Sequence, residues 1–173
     1  MPFVTVCPLS QVGATVASTG ARHLVSLINS GTPVPRPDAI AEENHLFLGM
    51  NDIVEPQEGM TPPAEEHVLS LLAFVAAWDR SQPMVIHCYA GISRSTAGAF
   101  IALCAAQPER DEAEIARDLR AASPTATPNA RLVALADALL ARGGRMTAAI
   151  EEIGRGEFAM ECVPFSLPLE RGG

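Results

Sequence analysis

The chain has 173 residues, a net charge of −8 and a pI near 4.9. So acidic a body argues against a nucleic-acid or anionic-membrane surface, and no apolar run reaches membrane-spanning length. A hydrophobic content of 48% supplies material for one core, so residues 1–173 are expected to form a single domain.

In chain order, Phe3 to Val6 and His23 to Ile28 read as strands, and Gly31 to Pro37, with its three prolines, as a loop. Leu46 to Met50 reads as a further strand. Gly59 to Pro63 leads into a helix from about Ala64 to Asp79, on which Val68, Leu71, Leu72, Val75 and Trp78 recur at helical spacing. That spacing makes Trp78 a core residue. Met84 to His87 is a short apolar strand, and Thr96 to Ala106, rich in Ala, Leu and Ile, is a helix. More helices follow at Asp111 to Ala122, Asn129 to Arg142 and Met146 to Ile153, with Gly143-Gly144 as the stop between the last two. Strands alternating with helices, then a helical C-terminal half, predict an α/β fold with a central, mostly parallel sheet flanked by helices. Phe158 to Leu169 mixes Phe, Met, Val and Pro and reads as a segment that covers an edge or packs over the core; residues 145–173 carry no functional assignment.

Between the strand ending at His87 and the helix after it lies His87-Cys88-Tyr89-Ala90-Gly91-Ile92-Ser93-Arg94-Ser95. Cysteine, five residues, then arginine is enough chain to wrap the N–H groups of Tyr89, Ala90, Gly91, Ile92, Ser93 and Arg94 around a tetrahedral oxyanion. Strand, glycine-containing turn, helix is also the context in which a helix N-terminus collects an anion. Converging N–H dipoles and the Arg94 guanidinium favour a thiolate, which is the nucleophilic form of cysteine. The planar fork of Arg94 can hold two phosphate oxygens at once. Gly91 permits backbone angles that a Cβ forbids, and Ser95 is placed to offer its hydroxyl to the sulfur. A lone buried cysteine is ordinarily a small hydrophobe. Here His87, Cys88, Gly91, Arg94 and Ser95 occur together at fixed spacing.

This segment resembles the active-site loop of the cysteine-dependent protein tyrosine phosphatase superfamily, and more closely its dual-specificity-like branch, whose pattern is His-Cys-x-x-Gly-x-x-Arg-Ser/Thr. The resemblance spans roughly residues 20–142. It includes Ser123 to Asn129, similar to the segment that packs behind the phosphate loop, where Asn129 either braces that loop or simply caps a helix. It implies an aspartate acid a few dozen residues before the cysteine, just after a strand. Asp52 stands there, as acid for the leaving group and then base toward water. Glu55 and Glu58 share its loop as rivals, and a turn-capping duty for Asp52 is the plain alternative. The implied activity is phosphomonoester hydrolysis through a phosphocysteine. No metal or cofactor is expected. The expected substrate is a phosphorylated protein or peptide, phosphotyrosine first and phosphoserine or phosphothreonine after it.

The variable loop positions carry none of the lysines that relatives acting on inositol phosphates tend to have, and Tyr89 either lines the mouth of the site or packs under the loop. Three other readings remain: a phosphatase of the same mechanism acting on a nucleotide, sugar or inositol phosphate; a phosphate-binding module without turnover; and sulfur transfer. Cysteines 7, 88, 104 and 162 show no pairing or metal spacing. With no basic leader segment, they point to the reducing cytoplasm. Cys7 and Cys104 are candidates to capture an oxidised Cys88 as a disulfide, against the simpler reading of inert core thiols.

Overall fold

The computed structural model describes residues 2–169. Four parallel strands are built from the apolar runs: β1 (Phe3–Pro8), β2 (His23–Ile28), β3 (His45–Gly49) and β4 (Met84–Cys88). A fifth, β5 (Phe165–Pro168), pairs antiparallel with β1, giving the order β3-β2-β4-β1-β5. Strands covered on both faces are apolar throughout rather than alternating. Val4, Val6, Val25, Leu27, Met84 and Ile86 join the larger core cluster, while Cys7, Leu24 and Val85 join a smaller one with Ile40, Val12 and Val16.

The smaller cluster is covered by α1 (Val12–Thr19), a helix the sequence pattern does not announce. Four of its eight residues are Gly, Ser or Thr, so its local preference is weak. It forms by laying Val12 and Val16 on the sheet, and it stops at Gly20 with φ +72°. The other face carries α2 (Glu65–Ala77), α3 (Arg94–Ala106), α4 (Glu112–Ala122), α5 (Ala130–Leu139) and α6 (Arg145–Ile153). Every residue of α3 from Arg94 to Cys104 is buried, because the helix packs against β1, β2 and β4 on one side and α2, α4 and α5 on the other. Trp78 is core, as its spacing predicts, and its indole N–H donates to the Gln82 carbonyl at 2.9 Å.

The expected helix over Asn129 to Arg142 ends three residues early. Ala141 takes φ +53° and the Arg142 N–H folds back onto the Asp137 carbonyl, so the chain turns before the glycine pair. Of the two readings of the C-terminal extension, the structure takes the edge: Phe165–Pro168 adds a strand to the edge of the sheet beside β1. Among the described residues no helix is long and apolar enough to cross a membrane.

Candidate active site

The carboxyl ends of β2, β3 and β4 converge, which is where open α/β sheets bind ligands. Cys88 closes β4, and the chain curls from it through Tyr89–Ser93 into the first turn of α3. What shapes this curl is the destination of its carbonyls. The Tyr89 carbonyl accepts from Leu9 N–H at 3.0 Å and the Ala90 carbonyl from Cys162 N–H at 2.9 Å. Ile92 O accepts from Thr127 N–H at 2.9 Å, and Ser93 O from Asn129 N–H at 3.1 Å. With these carbonyls tied outward, the N–H groups are left for the inside of the curl. The Gly91 N–H already points at Cys88 Sγ, 3.2 Å away. Gly91 has φ +73°, and a Cβ there would strike the Cys162 sulfur and crowd the Cys7 carbonyl. Only glycine fits on both counts.

The sulfur is nearly enclosed, 3% exposed, and stands 3.1 Å from the Ser95 hydroxyl. Arg94 folds back across the sheet ends. Its Nη1 donates to Asn29 Oδ1 at 2.7 Å, just past β2, and to the Met50 carbonyl at 2.8 Å, just past β3. Its buried Nε has no partner among the described residues. An unpaired buried guanidinium donor costs free energy unless a ligand takes it, and a bidentate anion is the ligand that a guanidinium fork fits.

His87 is fully buried behind the sulfur. Its Nδ1 donates to the Cys88 carbonyl at 3.0 Å, and its Nε2 accepts from Ser26 Oγ at 2.6 Å, whose oxygen accepts in turn from His45 Nε2 at 2.8 Å. Burial pushes the His87 pKa down to about 4, so the ring is neutral at pH 7. In that state one tautomer satisfies the whole relay. His87 thus fixes the Cys88 peptide and does not face the anion site.

Asp52 follows β3 and reaches the opposite rim of the curl. Its Oδ1 accepts from Ser93 Oγ and from Asn129 Nδ2, each at 2.8 Å, while among the described residues no hydrogen bond takes Oδ2. Asn129 Nδ2 also reaches the Ile53 carbonyl at 3.2 Å, and its Oδ1 caps α5 by accepting from Leu132 N–H at 3.0 Å. Asn129 therefore both caps and braces: its side chain caps α5 and holds the Asp52 loop, and its backbone N–H holds the curl at Ser93. Glu55 and Glu58 are exposed and make no hydrogen bond to the curl. Tyr89 is 63% exposed, so it stands at the mouth rather than packing beneath the loop.

A family model for protein-tyrosine phosphatase matches residues 55–130, a stretch that holds the curl and Asn129 but stops short of Asp52. Over that stretch, less than half of the chain, the sequence is similar to protein-tyrosine phosphatases. Its fold is similar to that of human DUSP28, with a TM-score of 0.61, 19% identity, and 80% of this chain and 94% of that one covered. DUSP15 gives a TM-score of 0.61 at 18% identity over 93% and 96% of the two chains. The PTP-2 phosphatase of Cydia pomonella gives 0.61 at 19% over 78% and 84%. Comparison with curated protein sequences finds no match.

Two residues of the phosphatase-like site escape sequence reasoning. Asn29 anchors Arg94 across the sheet, and its only local sign is a polar residue directly after an apolar strand. Cys162 comes from the C-terminal extension and seats its sulfur under Gly91. It was not among the redox candidates; Cys7 and Cys104 were. Cys7 does lie on β1 beside the Cys88 strand end, whereas the charged neighbours of Cys104 are Arg142, Glu112, Arg110 and Asp137, none of them in the curl. Burial pushes Cys7 up to about 11 and both Cys162 and Cys104 up to about 12. No group of His, Cys, Asp and Glu among the described residues has the arrangement of a metal site.

Proposed function

We propose that this chain hydrolyses phosphomonoesters through a phosphocysteine, with phosphotyrosine in proteins as its substrate. The observation that carries the reading is Arg94: anchored through Nη1 to Asn29 and Met50, it keeps a buried Nε unpaired at the end of a curl that begins at Cys88. An anion of phosphate size satisfies both that donor and the inward N–H groups. In the first step the Cys88 sulfur attacks phosphorus, the bond to the ester oxygen breaks, and Asp52 gives that oxygen its proton. Oδ2 is the carboxyl oxygen suited to carry the proton, since Oδ1 is occupied by two donors. In the second step Asp52 takes a proton from water, the water oxygen attacks phosphorus and the S–P bond breaks. The Ser95 hydroxyl, 3.1 Å from Sγ, stabilises the departing thiolate. Charge stabilisation comes from Arg94 and the N–H groups of the curl.

One phosphate fits this site better than several. No lysine occurs in the sequence, and the variable positions of the curl are Tyr89, Ala90, Ile92 and Ser93. Exposed Tyr89 offers an aromatic face at the mouth, suited to stacking on a phosphotyrosine ring. Steady-state hydrolysis of an aryl phosphate against pH, with chelator present, tests the reading. Cys88→Ser should abolish turnover, and Asp52→Asn should slow it and lose the alkaline fall of the profile. Turnover that survives in Cys88→Ser overturns the mechanism, and a wild type that binds phosphopeptide without hydrolysing it turns the site into a recognition module.

A further inference from the structure

A cavity of about 560 Å³ opens directly beside the curl. One wall is Asp52, Ile92 and Ser93; the other is the C-terminal extension, with Ile150, Arg155 and Phe158. Among the described residues the four most exposed large apolar side chains are Phe158 (88%), which lines this cavity, Val163 (82%) and Met160 (79%) on the same segment, and Tyr89 (63%) on the curl. Three of them fall within six residues of the extension. They are not on a loose tail. The Gly156 backbone lies so close to Pro124, Thr125 and Ala126 that a Cβ would collide with main chain. Its N–H donates to Thr127 Oγ1 at 3.1 Å, and Glu157 N–H donates to the Pro124 carbonyl at 2.9 Å. Arg120 grips the Ile153 and Gly154 carbonyls together with those of Ser123, Pro124 and Ala126. At the far end Cys162 is buried beneath Gly91, its N–H bonded to the Ala90 carbonyl. The extension is thus pinned on both sides of Phe158 and Met160, and it presents them to solvent.

Contiguous exposed apolar surface on a well-ordered segment marks a binding surface. Its place beside the curl selects the occupant. A residue whose phosphate sits at Arg94 has its neighbours within about 10 Å on either side, at about 3.3 Å per extended residue, so the flanking chain must cross this groove and its rim. A second copy of this protein seated here would cover the curl and block it. We infer that residues 154–163 are a docking platform for the polypeptide flanking the phosphorylated residue, with Phe158, Met160 and Val163 receiving an apolar side chain of that flank. Glu151, Arg155 and Glu157 supply the polar rim such a surface needs. The inference rests on the proposed function and deepens it by naming the flanking sequence that the site selects.

The test compares wild type with the triple variant Phe158→Ser, Met160→Ser, Val163→Ser. The probes are para-nitrophenyl phosphate, a phosphotyrosine peptide with Leu or Phe two and three residues from the phosphate, and the same peptide with Ser there. The variant should lose about tenfold in kcat/KM on the apolar-flanked peptide, through KM, with both other substrates unaffected. Equal loss on all three, or loss on none, overturns the platform. The same comparison in a Cys88→Ser background, by fluorescence anisotropy of the labelled peptides, reads the platform without turnover. If wild type hydrolyses nothing yet the apolar flank still strengthens binding and the triple variant removes that gain, the chemistry fails and the platform stands. Sedimentation closes the remaining case: a wild-type dimer that the triple variant dissociates makes the patch a self-interface and overturns the inference.

Discussion

Asn129 is the residue whose substitution separates architecture from chemistry most cleanly, because the two ends of its amide do different jobs. Oδ1 caps α5 through Leu132 N–H, and Nδ2 holds Asp52 Oδ1 and the Ile53 carbonyl. Removing an Asn cap costs about 1 kcal/mol. The bonds to the Asp52 loop are part-buried and add about 1 kcal/mol after solvent competition. Asn129→Ala should therefore lose about 2 kcal/mol, or about 4–8 °C in Tm for a chain of this size. Serine caps a helix nearly as well but is too short to reach Asp52, so Asn129→Ser should recover about half of that loss. Activity should not follow stability. Both variants release Asp52 from one of its two tethers, and each should lose at least about tenfold in kcat on an aryl phosphate, equivalent to about 1.4 kcal/mol, with KM little changed. The assay is thermal unfolding beside steady-state kinetics across pH, since a displaced acid also weakens the alkaline fall of the profile. If Asn129→Ser regains wild-type kcat along with its Tm, the side chain is only a cap and the assignment of Asp52 as acid loses its structural support.

Three other expectations follow from the same geometry. His87 is held neutral by burial, its pKa lowered from 6.5 to about 4. The unfolded chain therefore gains a proton on this ring below pH 6.5 that the folded chain refuses. Stability is complete above that pH and declines toward pH 4, by about 3 kcal/mol at the limit, so urea midpoints should fall between pH 7 and 5 and fall less in His87→Gln; equal slopes would refute this. Iodoacetamide at pH 7 should label Cys88 alone, because the thiols of Cys7, Cys104 and Cys162 are pushed up to about 11, 12 and 12, whereas Cys88 Sγ accepts from the Gly91 N–H at the inside of the curl. Peptide mapping that finds Cys162 modified as fast as Cys88 would contradict that. Gly91→Ala combines an unfavourable positive φ with a collision against the Cys162 sulfur, and should cost at least about 1–2 kcal/mol and most of the turnover. Full activity in that variant would mean that the curl tolerates a rebuilt backbone.

What could be read along the chain is what adjacent residues decide among themselves. The apolar runs of β2 and β4, the periodic face of α2 and the Cys88-to-Ser95 curl are each contiguous, and strand-curl-helix is a local geometry. The position of Asp52 just past a strand was legible for the same reason. The helix α1 was not, since its Gly, Ser and Thr carry little helical preference and only the sheet beneath Val12 and Val16 stabilises it. Nor was β5: flanked by Pro164 and ending in Pro168, it survives as an edge strand, the place where proline is tolerated. Tertiary structure alone decided that Asn29 would anchor Arg94, that Asn129 would hold Asp52, and that Cys162 would lie under Gly91. These pairs are separated by 65, 77 and about 70 residues and meet only because the fold brings the carboxyl ends of β2, β3 and β4, the start of α5 and the C-terminal extension to one edge. A chemical motif is a short-range property of a chain, whereas the side chains that orient and cover it are chosen by how distant segments pack.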